Sequence, residues 1–456
     1  MRPILARNLF RLQEHLLGRP SFRILRELRE SEWWPRQRLQ ELKLQRMQHI
    51  VQTAYDRTPF WRQFMDEQGI KPADIQTLDD LRKFPLLEKE TLREKREDMV
   101  WREEGRRIQL VRTSGSTNEA LEFYTSSTRE AHINAARMRG HEWIGVRRGD
   151  KEMYYWASPI ELSKQDKVKR VRDWLINDGL TNGFELSPDF IQSNFQCWLK
   201  WKPRCLFGYA STFVLTAYLS QRLDLDLTQL AERGLKAIVT TSEVLSDHDR
   251  QCISHAFGVP VFDSYGVREA GLIGHECSEQ TMHCMEEQMI LETIDPMTLE
   301  PTDGHGELVV TNLVGPAFPV IRYRTGDMVT LHDGRCSCGR TLTSLEVSGG
   351  RIAEYIVTKS GKLISGIVSL YTARAVKGIV KFQLVQDKVE EVIYQIAVDY
   401  RFPENGKEEV KDILRKRLGD EVQIEVEIVD DIEPSPSGKY RPVVSKVADQ
   451  YIGIPR

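Results

Sequence analysis

The chain has 456 residues, 40% of them hydrophobic and 29% charged, and its 64 Lys+Arg nearly balance its 67 Asp+Glu. This length exceeds what one hydrophobic core usually serves, so we expect two or three domains, and the balanced charge gives no electrostatic case for a nucleic-acid partner. The longest uncharged run, residues 205–221, is too short and too polar to cross a bilayer as a helix, so no membrane span is expected.

The first fifty residues are rich in Arg, Leu and Gln at helical spacing, and we predict a helical extension over residues 1–50. One broad face collects the apolar side chains Ile4, Leu5, Leu9, Leu12, Leu16 and Leu17. Such a face most often packs on the helix's own domain, and the alternative is that it lies on an anionic membrane surface. Since no secretory signal pattern is present, we expect a cytoplasmic protein, with a peripheral membrane location as the alternative.

A polar loop, residues 112–120, lies between two strand-like stretches at residues 108–111 and 121–124. Its hydroxyls and backbone N–H groups could donate hydrogen bonds to phosphate oxygens. The loop lacks the GxxxxGK[ST] pattern, so a P-loop NTPase is not supported.

Residues 125–260 alternate helical and strand-like segments, which predicts an α/β domain with a largely parallel sheet. Ligands of such sheets gather at the C-terminal ends of strands. Two loops hold this position, residues 240–243 and residues 263–269. The second follows a predicted strand over residues 261–265 and offers the carboxylate of Glu269, so we expect a nucleotide to bind there.

Beyond residue 351 the pattern changes to short strands, at residues 379–385, 391–399 and 422–429, and one helix at residues 405–418. This predicts a compact α+β domain over residues 351–456. Lys439 lies in its tail, in a Pro-Ser-Pro-Ser-Gly loop that cannot be a regular element.

Six short motifs in one order resemble the adenylate-forming superfamily of acyl-CoA synthetases: TSGST at 113–117, TSE at 241–243, YGVRE at 265–269, YRTGD at 323–327, GR at 350–351 and SGK at 437–439. The stretches AYDRTPFWRQF, FPLLEKETLRE and CSCGR look most like phenylacetate-CoA ligases and their relatives from capsular polysaccharide loci. The resemblance runs from about residue 50 to the end. It implies a large α/β domain, residues 51–350, with parallel sheets plus a β-barrel-like part, and a small mobile C-terminal domain.

The resemblance also implies roles for individual residues. Lys439 would bridge the substrate carboxylate and the α-phosphate of ATP, and Glu269 would hold Mg²⁺. Asp327 would take the ribose hydroxyls, because an ionised carboxylate only accepts hydrogen bonds. The other ATP or AMP contacts implied are Ser114, Gly115, Ser116, Thr117, Glu243, Asp263, Ser264, Tyr265, Gly266 and Arg351. Candidates for the acyl pocket, from their position near strand ends, are Trp156, Tyr209, Ala210 and Gly271.

Four of the seven cysteines fall between residues 277 and 338. We predict that Cys277, His283, Cys336 and Cys338 bind a structural Zn²⁺, with His275 and Cys284 as substitutes. The alternative is that these cysteines are buried without a metal.

The function implied is ATP-dependent activation of a small carboxylic acid to an acyl-adenylate, followed by transfer to CoA. One alternative is transfer to a carrier protein or to a sugar or amine of a surface polysaccharide. A second is a degenerate ligase fold that only binds or scaffolds, which Asn118, Glu119 and Ala120 favour because they depart from the usual phosphate loop. Self-association as a homodimer is left open.

Overall fold

A computed structural model of the chain describes residues 1–103, 107–112, 121–156, 167–183, 185–186, 188–243, 245–295, 298–334, 336–349, 355–359, 363–365, 367–419, 421–432 and 443–447. The predicted phosphate-loop residues Ser114, Gly115, Ser116 and Thr117, together with Arg351 and Lys439, lie outside the described residues. Within them, no helix combines the length and apolar composition that a bilayer span requires.

Helices form the N-terminal part of the chain. They are α1 (Pro3–Leu16), α2 (Ser21–Ser31), α3 (Arg36–Arg57), α4 (Pro59–Gln68) and α5 (Lys89–Lys95), with short 3-10 helices at Pro72–Asp74, Leu78–Lys83 and Arg96–Met99. Proline begins both α1 and α4, where its missing N–H costs no hydrogen bond. The chain breaks between two of these helices at Thr58, because α3 ends at Arg57 and α4 starts at Pro59.

The packing of α1 differs from the expected one. Its buried residues are Ala6, Phe10 and Glu14, whereas Leu12 and Leu16 are 53% and 70% exposed. The expectation that this face packs on the protein's own domain is therefore wrong for Ile4, Leu5, Leu12 and Leu16, whereas Leu9 packs against the core. Helical periodicity identifies an apolar face but does not say whether another element covers it.

An 11-stranded sheet forms the centre of the molecule, in the order β11-β12-β13-β14-β10-β9-β8-β7-β6-β3-β4. One half is parallel, as predicted, and its strands are β3 (Glu152–Trp156), β4 (Asp178–Asn182), β6 (Cys205–Gly208), β7 (Ala237–Thr241) and β8 (Val261–Val267). The helices of this half are α6 (Ser127–Trp143), α7 (Lys167–Leu175), α8 (Pro188–Trp201), α9 (Ala210–Arg222), α10 (Gln229–Glu232) and α11 (Asp247–Phe257).

The other half of the sheet is antiparallel. Its strands are β9 (Gly271–Glu276), β10 (Met282–Cys284), β11 (Met289–Ile294), β12 (His305–Asn312), β13 (Tyr323–His332) and β14 (Ser344–Gly349). The expected barrel-like part is, among the described residues, this continuation of the same sheet together with a hairpin of β1 (Ile108–Arg112) and β2 (Glu122–Ser126). Helix α6 lies very close to the sheet, since a Cβ on Gly140 would come within 2.5 Å of the His275 ring.

The C-terminal part has its own four-stranded sheet, in the order β19-β18-β17-β20. Its elements are β17 (Ile379–Lys388), β18 (Glu391–Val398), β19 (Gln423–Ile428), β20 (Val443–Ser445), α12 (Ile367–Ala375) and α13 (Gly406–Leu418). These elements, which match the predicted ones closely, enclose a core that includes Phe382, Tyr394 and Leu414. A further small sheet joins β15 (Tyr355–Val357) and β16 (Leu363–Ser365) to β5 (Glu185–Leu186) of the N-terminal part.

Candidate active site

A cavity of about 810 Å³ opens beyond the C-terminal ends of β7 and β8. Strands β13 and β14 and the segment between β9 and β10 complete its wall. The structure brings seven of the predicted site residues together here: Glu243, Asp263, Ser264, Tyr265, Gly266, Glu269 and Asp327. They come from three separate segments of the chain, so the placement expected from a parallel sheet is observed.

Two partly buried carboxyl groups line the cavity, those of Glu243 and Asp263. Glu243 accepts a hydrogen bond from the backbone N–H of Ser211 at 2.8 Å, and Asp263 accepts one from the Thr240 hydroxyl at 2.7 Å. Burial raises the pKa of Glu243 to about 7 and that of Asp263 to about 7. Around neutral pH each carboxyl group therefore exchanges between an acceptor and a donor of hydrogen bonds.

Tyr265 and Asp327 connect two distant strands. The Tyr265 hydroxyl on β8 donates to Asp327 Oδ2 on β13 at 2.8 Å. Burial, followed by the nearby Asp327 charge, raises the pKa of Tyr265, so the phenol keeps its proton. The backbone N–H of Asp327 donates to the Thr325 hydroxyl at 3.2 Å, across Gly326 with its φ of +77°. Asp327 is thus fixed from two sides and presents a carboxylate to the cavity.

Glu269 lies on the three-residue turn, 268–270, between β8 and β9. The buried guanidinium of Arg129, on α6, donates to the carbonyl oxygens of Arg268 and Glu269 at 2.6 and 2.8 Å. The side-chain amide of Asn312 donates to the Ala270 carbonyl at 3.0 Å. Helix α6 and strand β12 therefore hold the turn through its backbone, and the Glu269 carboxylate lies beside Tyr323.

The aromatic candidates for the acyl pocket lie together near the ends of β3 and β6. The Trp156 ring is 4.9 Å from that of Tyr209 and stacks on Phe207 at 5.9 Å and 9°. Ala210 is buried at the start of α9, and Gly271, with its φ of +96°, faces Ile133. The described residues that line the 810 Å³ cavity do not include Trp156, Tyr209, Ala210 or Gly271, so their role stays a prediction.

The four predicted zinc ligands form one cluster. The ligand atoms of Cys277, His283, Cys336 and Cys338 all lie within 4.8 Å of one another. The Sγ atoms of Cys277 and Cys336 are 3.8 Å apart, too far for a disulfide, which needs about 2.05 Å. Two thiolates at ~2.3 Å from a tetrahedral Zn²⁺ would be ~3.8 Å apart, so the spacing fits that ion.

His283 is oriented for this cluster. Its Nδ1 faces the Leu342 carbonyl at 3.4 Å, and its Nε2 lies 3.2 Å from Cys338 Sγ. A carbonyl on the far ring nitrogen is the usual way in which a protein directs the other nitrogen to a metal. The substitute ligands lie elsewhere: His275 packs against His141 and Trp143, and Cys284 is fully buried outside the cluster.

The cluster and the cavity share one stretch of chain, the residues between β9 and β10. Cys277 donates its backbone N–H to the Thr281 carbonyl at 3.0 Å, and Cys336 Sγ lies 3.2 Å from the Thr281 hydroxyl. Gln280, Thr281 and Met282 also line the cavity. Thr281 contacts Cys336 and also lines the cavity, so a displacement of the cysteines would move the cavity wall directly.

Comparison with known proteins gives relatives over most of the chain. A phenylacetate-coenzyme A ligase of Thermus thermophilus is 26% identical over 363 residues, covering 72% of this chain and 74% of that protein. The protein CapK of Staphylococcus aureus is 21% identical over 417 residues, covering 89% of each chain. Residues 356–446 match the family model for the CapK C-terminal domain.

A solved 2-hydroxyisobutyryl-CoA ligase, in complex with 2-HIB-AMP and CoA, superimposes with a TM-score of 0.65 at 19% identity, over 91% of this chain and 93% of that chain. The same ligase in its postadenylation state gives 0.59. The chain has the fold of an adenylate-forming ligase. The resemblance found from the ordered motifs is confirmed.

Sequence reasoning missed several residues of the site. Arg129 holds the Glu269 turn, and Tyr323 lies beside Glu269, whose charge adds to burial in raising the tyrosine pKa. Lys89 and Arg93 of α5 bring positive charge to the same cavity. Lys89 and Arg93 fall within the FPLLEKETLRE stretch and Tyr323 falls within YRTGD, so these motifs could have indicated them. No motif in the sequence around Arg129 indicates a role for that residue.

Proposed function

We propose that this protein is an AMP-forming carboxylate ligase. The observation that carries the proposal is the convergence of Glu243, Asp263, Tyr265, Glu269 and Asp327 on one cavity at strand ends. The relatives named phenylacetate-coenzyme A ligase support the same reaction class. The acid would attack the α-phosphate of ATP, forming an acyl-adenylate and releasing pyrophosphate. The thiol of CoA would then displace AMP and leave a thioester.

Each residue has a task that its position suits. Asp327, held by Tyr265, would accept hydrogen bonds from the ribose hydroxyls, and Glu243 and Asp263 would face the base. Glu269 would hold Mg²⁺, which supplies positive charge to the polyphosphate. Lys89 and Arg93 would add attraction for the same polyanion at that side of the cavity.

The phosphate loop, Lys439 and the cysteine cluster would complete the enzyme. Ser114, Gly115, Ser116 and Thr117 would contact the phosphates, and Leu121, which follows this loop in sequence, lines the cavity. Lys439 would approach from a small C-terminal domain of residues 351–456, which would close for adenylation and rotate for thioester formation. The Cys277, His283, Cys336 and Cys338 cluster would bind Zn²⁺ through four protein ligands, and hence as a structural metal.

Transfer to an acceptor other than CoA is the second candidate. The match of residues 356–446 to the CapK C-terminal domain, and the 21% identity to the protein CapK over most of both chains, favour it. In that case the adenylation step is unchanged and only the acceptor differs.

Pyrophosphate release over a panel of carboxylic acids tests the proposal. We expect one class of acid to stimulate release, and we expect Glu269→Gln and Asp327→Ala to reduce it by on the order of 100-fold or more. Glu300→Gln, at an exposed glutamate, is the matched control and should have no effect. If no acid stimulates release, and Lys439→Ala changes no activity, the chain is a binding protein and not a ligase. Offering CoA or an amine to the adenylate then separates the two acceptors.

A further inference from the structure

Helix α1 presents an apolar face to solvent. Ile4, Leu5, Leu12 and Leu16 are 77%, 49%, 53% and 70% exposed, and they fall on one side of the helix. The opposite side buries Ala6, Phe10 and Glu14 against the protein. The helix is therefore docked firmly with its apolar face outward, which is the reverse of the usual arrangement in a globular domain.

Helix α7 adds a second exposed apolar pair. Val171 and Trp174, one helical turn apart, are 58% and 56% exposed. The end of α7 lies next to the start of α1, since the side-chain amide of Asn177 donates to the Met1 carbonyl at 3.2 Å. Ile176 and Phe10 also share one core cluster. The two exposed apolar faces thus belong to one region of the surface.

The charge around these faces is strongly positive. Helices α1 and α2 with their connection, residues 1–31, contain seven arginines and three acidic residues, of which Glu14 is buried. Residues 167–175 contain four basic residues and one acidic residue. The whole chain carries a net charge of −3, so this concentration of positive charge is local. Tryptophan and leucine rimmed by arginine and lysine are the composition of helices that lie in the interface of a bilayer.

A positively charged recess lies beside α1, on the side of Arg7. It has a volume of about 320 Å³ and is lined by Arg7, Arg29, Arg147 and Glu142. Glu142 pairs with Arg29, which leaves a surplus of positive charge in the recess. A phosphate group of a lipid headgroup is an anion of suitable size and charge for such a place.

We propose that α1 and α7 together form a surface that docks the protein on an anionic bilayer. The leucines, Val171 and Trp174 enter the headgroup boundary while the arginines and lysines pair with lipid phosphates. Charge complementarity decides between this occupant and a second copy of the chain: two copies would bring two strongly positive surfaces together, whereas an anionic bilayer neutralises one. The protein would bind reversibly, because the buried area of two short helices is small.

Vesicle flotation with the full chain tests this. We expect binding to vesicles of phosphatidylglycerol and phosphatidylethanolamine, little binding to phosphatidylcholine alone, and release at about 0.5 M salt, where the Debye length is only a few Å. Leu12→Ser/Leu16→Ser should reduce the bound fraction roughly tenfold. Arg2→Gln/Arg170→Gln should reduce it as well. Val380→Ser/Ile428→Ser, at residues 51% and 46% exposed on the C-terminal sheet, is the matched control and should bind like the wild type.

Three results would overturn the proposal. The first is equal binding to both kinds of vesicle, or to neither. The second is binding by Leu12→Ser/Leu16→Ser at the wild-type level, checked with Ile4→Gln should the double variant fold poorly. The third is a concentration-dependent dimer in sedimentation that Leu12→Ser/Leu16→Ser abolishes, since a second copy would then cover the face.

Discussion

At the scale of single residues, the hydrogen bond between Tyr265 and Asp327 sets the geometry of the predicted ribose site. The 2.8 Å bond fixes one carboxylate oxygen of Asp327, a residue that lines the cavity. We expect Tyr265→Phe to raise the KM for ATP by about tenfold with little change in kcat, because a binding contact is loosened and no reacting group is lost. Tyr400→Phe, at a tyrosine that is 95% exposed, is the control for the kinetic assay. An unchanged KM would show that Asp327 needs no such support.

The partly buried carboxyl groups predict a dependence of stability on pH. The pKa of Glu243 rises from 4.5 to about 7 on folding, so between those values the folded state keeps a proton that the unfolded state releases. The contribution of the protonated Glu243 carboxyl to the free energy of unfolding is therefore fully present below pH 4.5, and it is lost as the pH rises through about 7. We expect Glu243→Gln to raise the free energy of unfolding at pH 8 by about 1 to 3 kcal/mol and to leave it unchanged at pH 4.

Chemical denaturation at both pH values measures this effect in the ligand-free protein. Asp263 acts in the same direction over its own window, from 3.8 to about 7, so Asp263→Asn should show a similar gain at pH 8. Glu300→Gln is the exposed control. A loss of stability at pH 8 in both variants would mean that the carboxylates have partners in the folded state that outweigh their burial.

The ordered motifs YGVRE and YRTGD were enough to predict Glu269 and Asp327, and the concentration of cysteines between residues 277 and 338 was enough to predict Cys277. Arg129 could not be found in this way. Its partners, the carbonyls of residues 268 and 269, lie about 140 positions along the chain, and a backbone acceptor has no sequence signature. Contacts of this kind become visible only when the fold brings helix and turn together.

At the scale of elements, the β9–β10 segment carries both the cysteine cluster and part of the cavity wall. We expect Cys338→Ser to lower the zinc content from about one ion per chain to near none and to lower Tm by roughly 5 °C or more. A metal ion that binds only the folded chain stabilises it, and three ligands hold Zn²⁺ less well than four. Metal analysis and thermal denaturation measure the two effects.

The control for this prediction is Cys197→Ser, since Cys197 is an exposed thiol outside the cluster. That variant should keep both zinc and stability. A metal-free wild-type preparation with undiminished Tm would contradict a structural zinc. If the metal is present, its removal should also weaken ATP binding, because Thr281 contacts Cys336 and lines the cavity.

The elements themselves were largely predictable, since alternation along β17, β18 and β19 and the 3.6-residue period of α13 are strong local patterns. The antiparallel half of the main sheet was not. Register shifts interrupt the pairing of β12 with β13 and of β13 with β14, and which strand pairs with which depends on contacts across the whole domain. Likewise, the periodicity of α1 correctly indicated an amphipathic helix but not its orientation.

At the scale of the whole molecule, a buried ion pair joins the N-terminal helices to the main domain. Arg139 on α6 donates to the Leu28 carbonyl of α2 and to Glu287, both at 3.0 Å, and Glu287 also accepts from the Ser31 hydroxyl at 2.6 Å. Arg139 and Glu287 are each almost fully buried. The first fifty residues are thus an integral part of the core, although the sequence indicated only a helical extension.

Breaking this pair should destabilise the protein strongly. We expect Arg139→Met alone and Glu287→Leu alone to cost about 3 to 5 kcal/mol each, since each leaves a buried charge without its partner. The double variant should cost less than the sum of the two. Denaturant unfolding of the four proteins forms the cycle, with Arg415→Met on α13 as a surface control worth less than about 1 kcal/mol. Additive losses would show that the two charges do not compensate each other.

The hydrogen bonds from Arg129 to the turn that carries Glu269 affect the order in which the elements of the site fold. The hairpin of β8 and β9 could form early, because its two strands are adjacent in sequence, but its turn would lack the guanidinium that fixes the backbone carbonyls. Arg129 lies on α6, so its guanidinium can reach the turn only after α6 has packed on the sheet, in the close contact between Gly140 and His275. The position of the Glu269 carboxylate, which is proposed to bind magnesium, would therefore be fixed late in folding. Nascent or partly folded chains would not bind nucleotide.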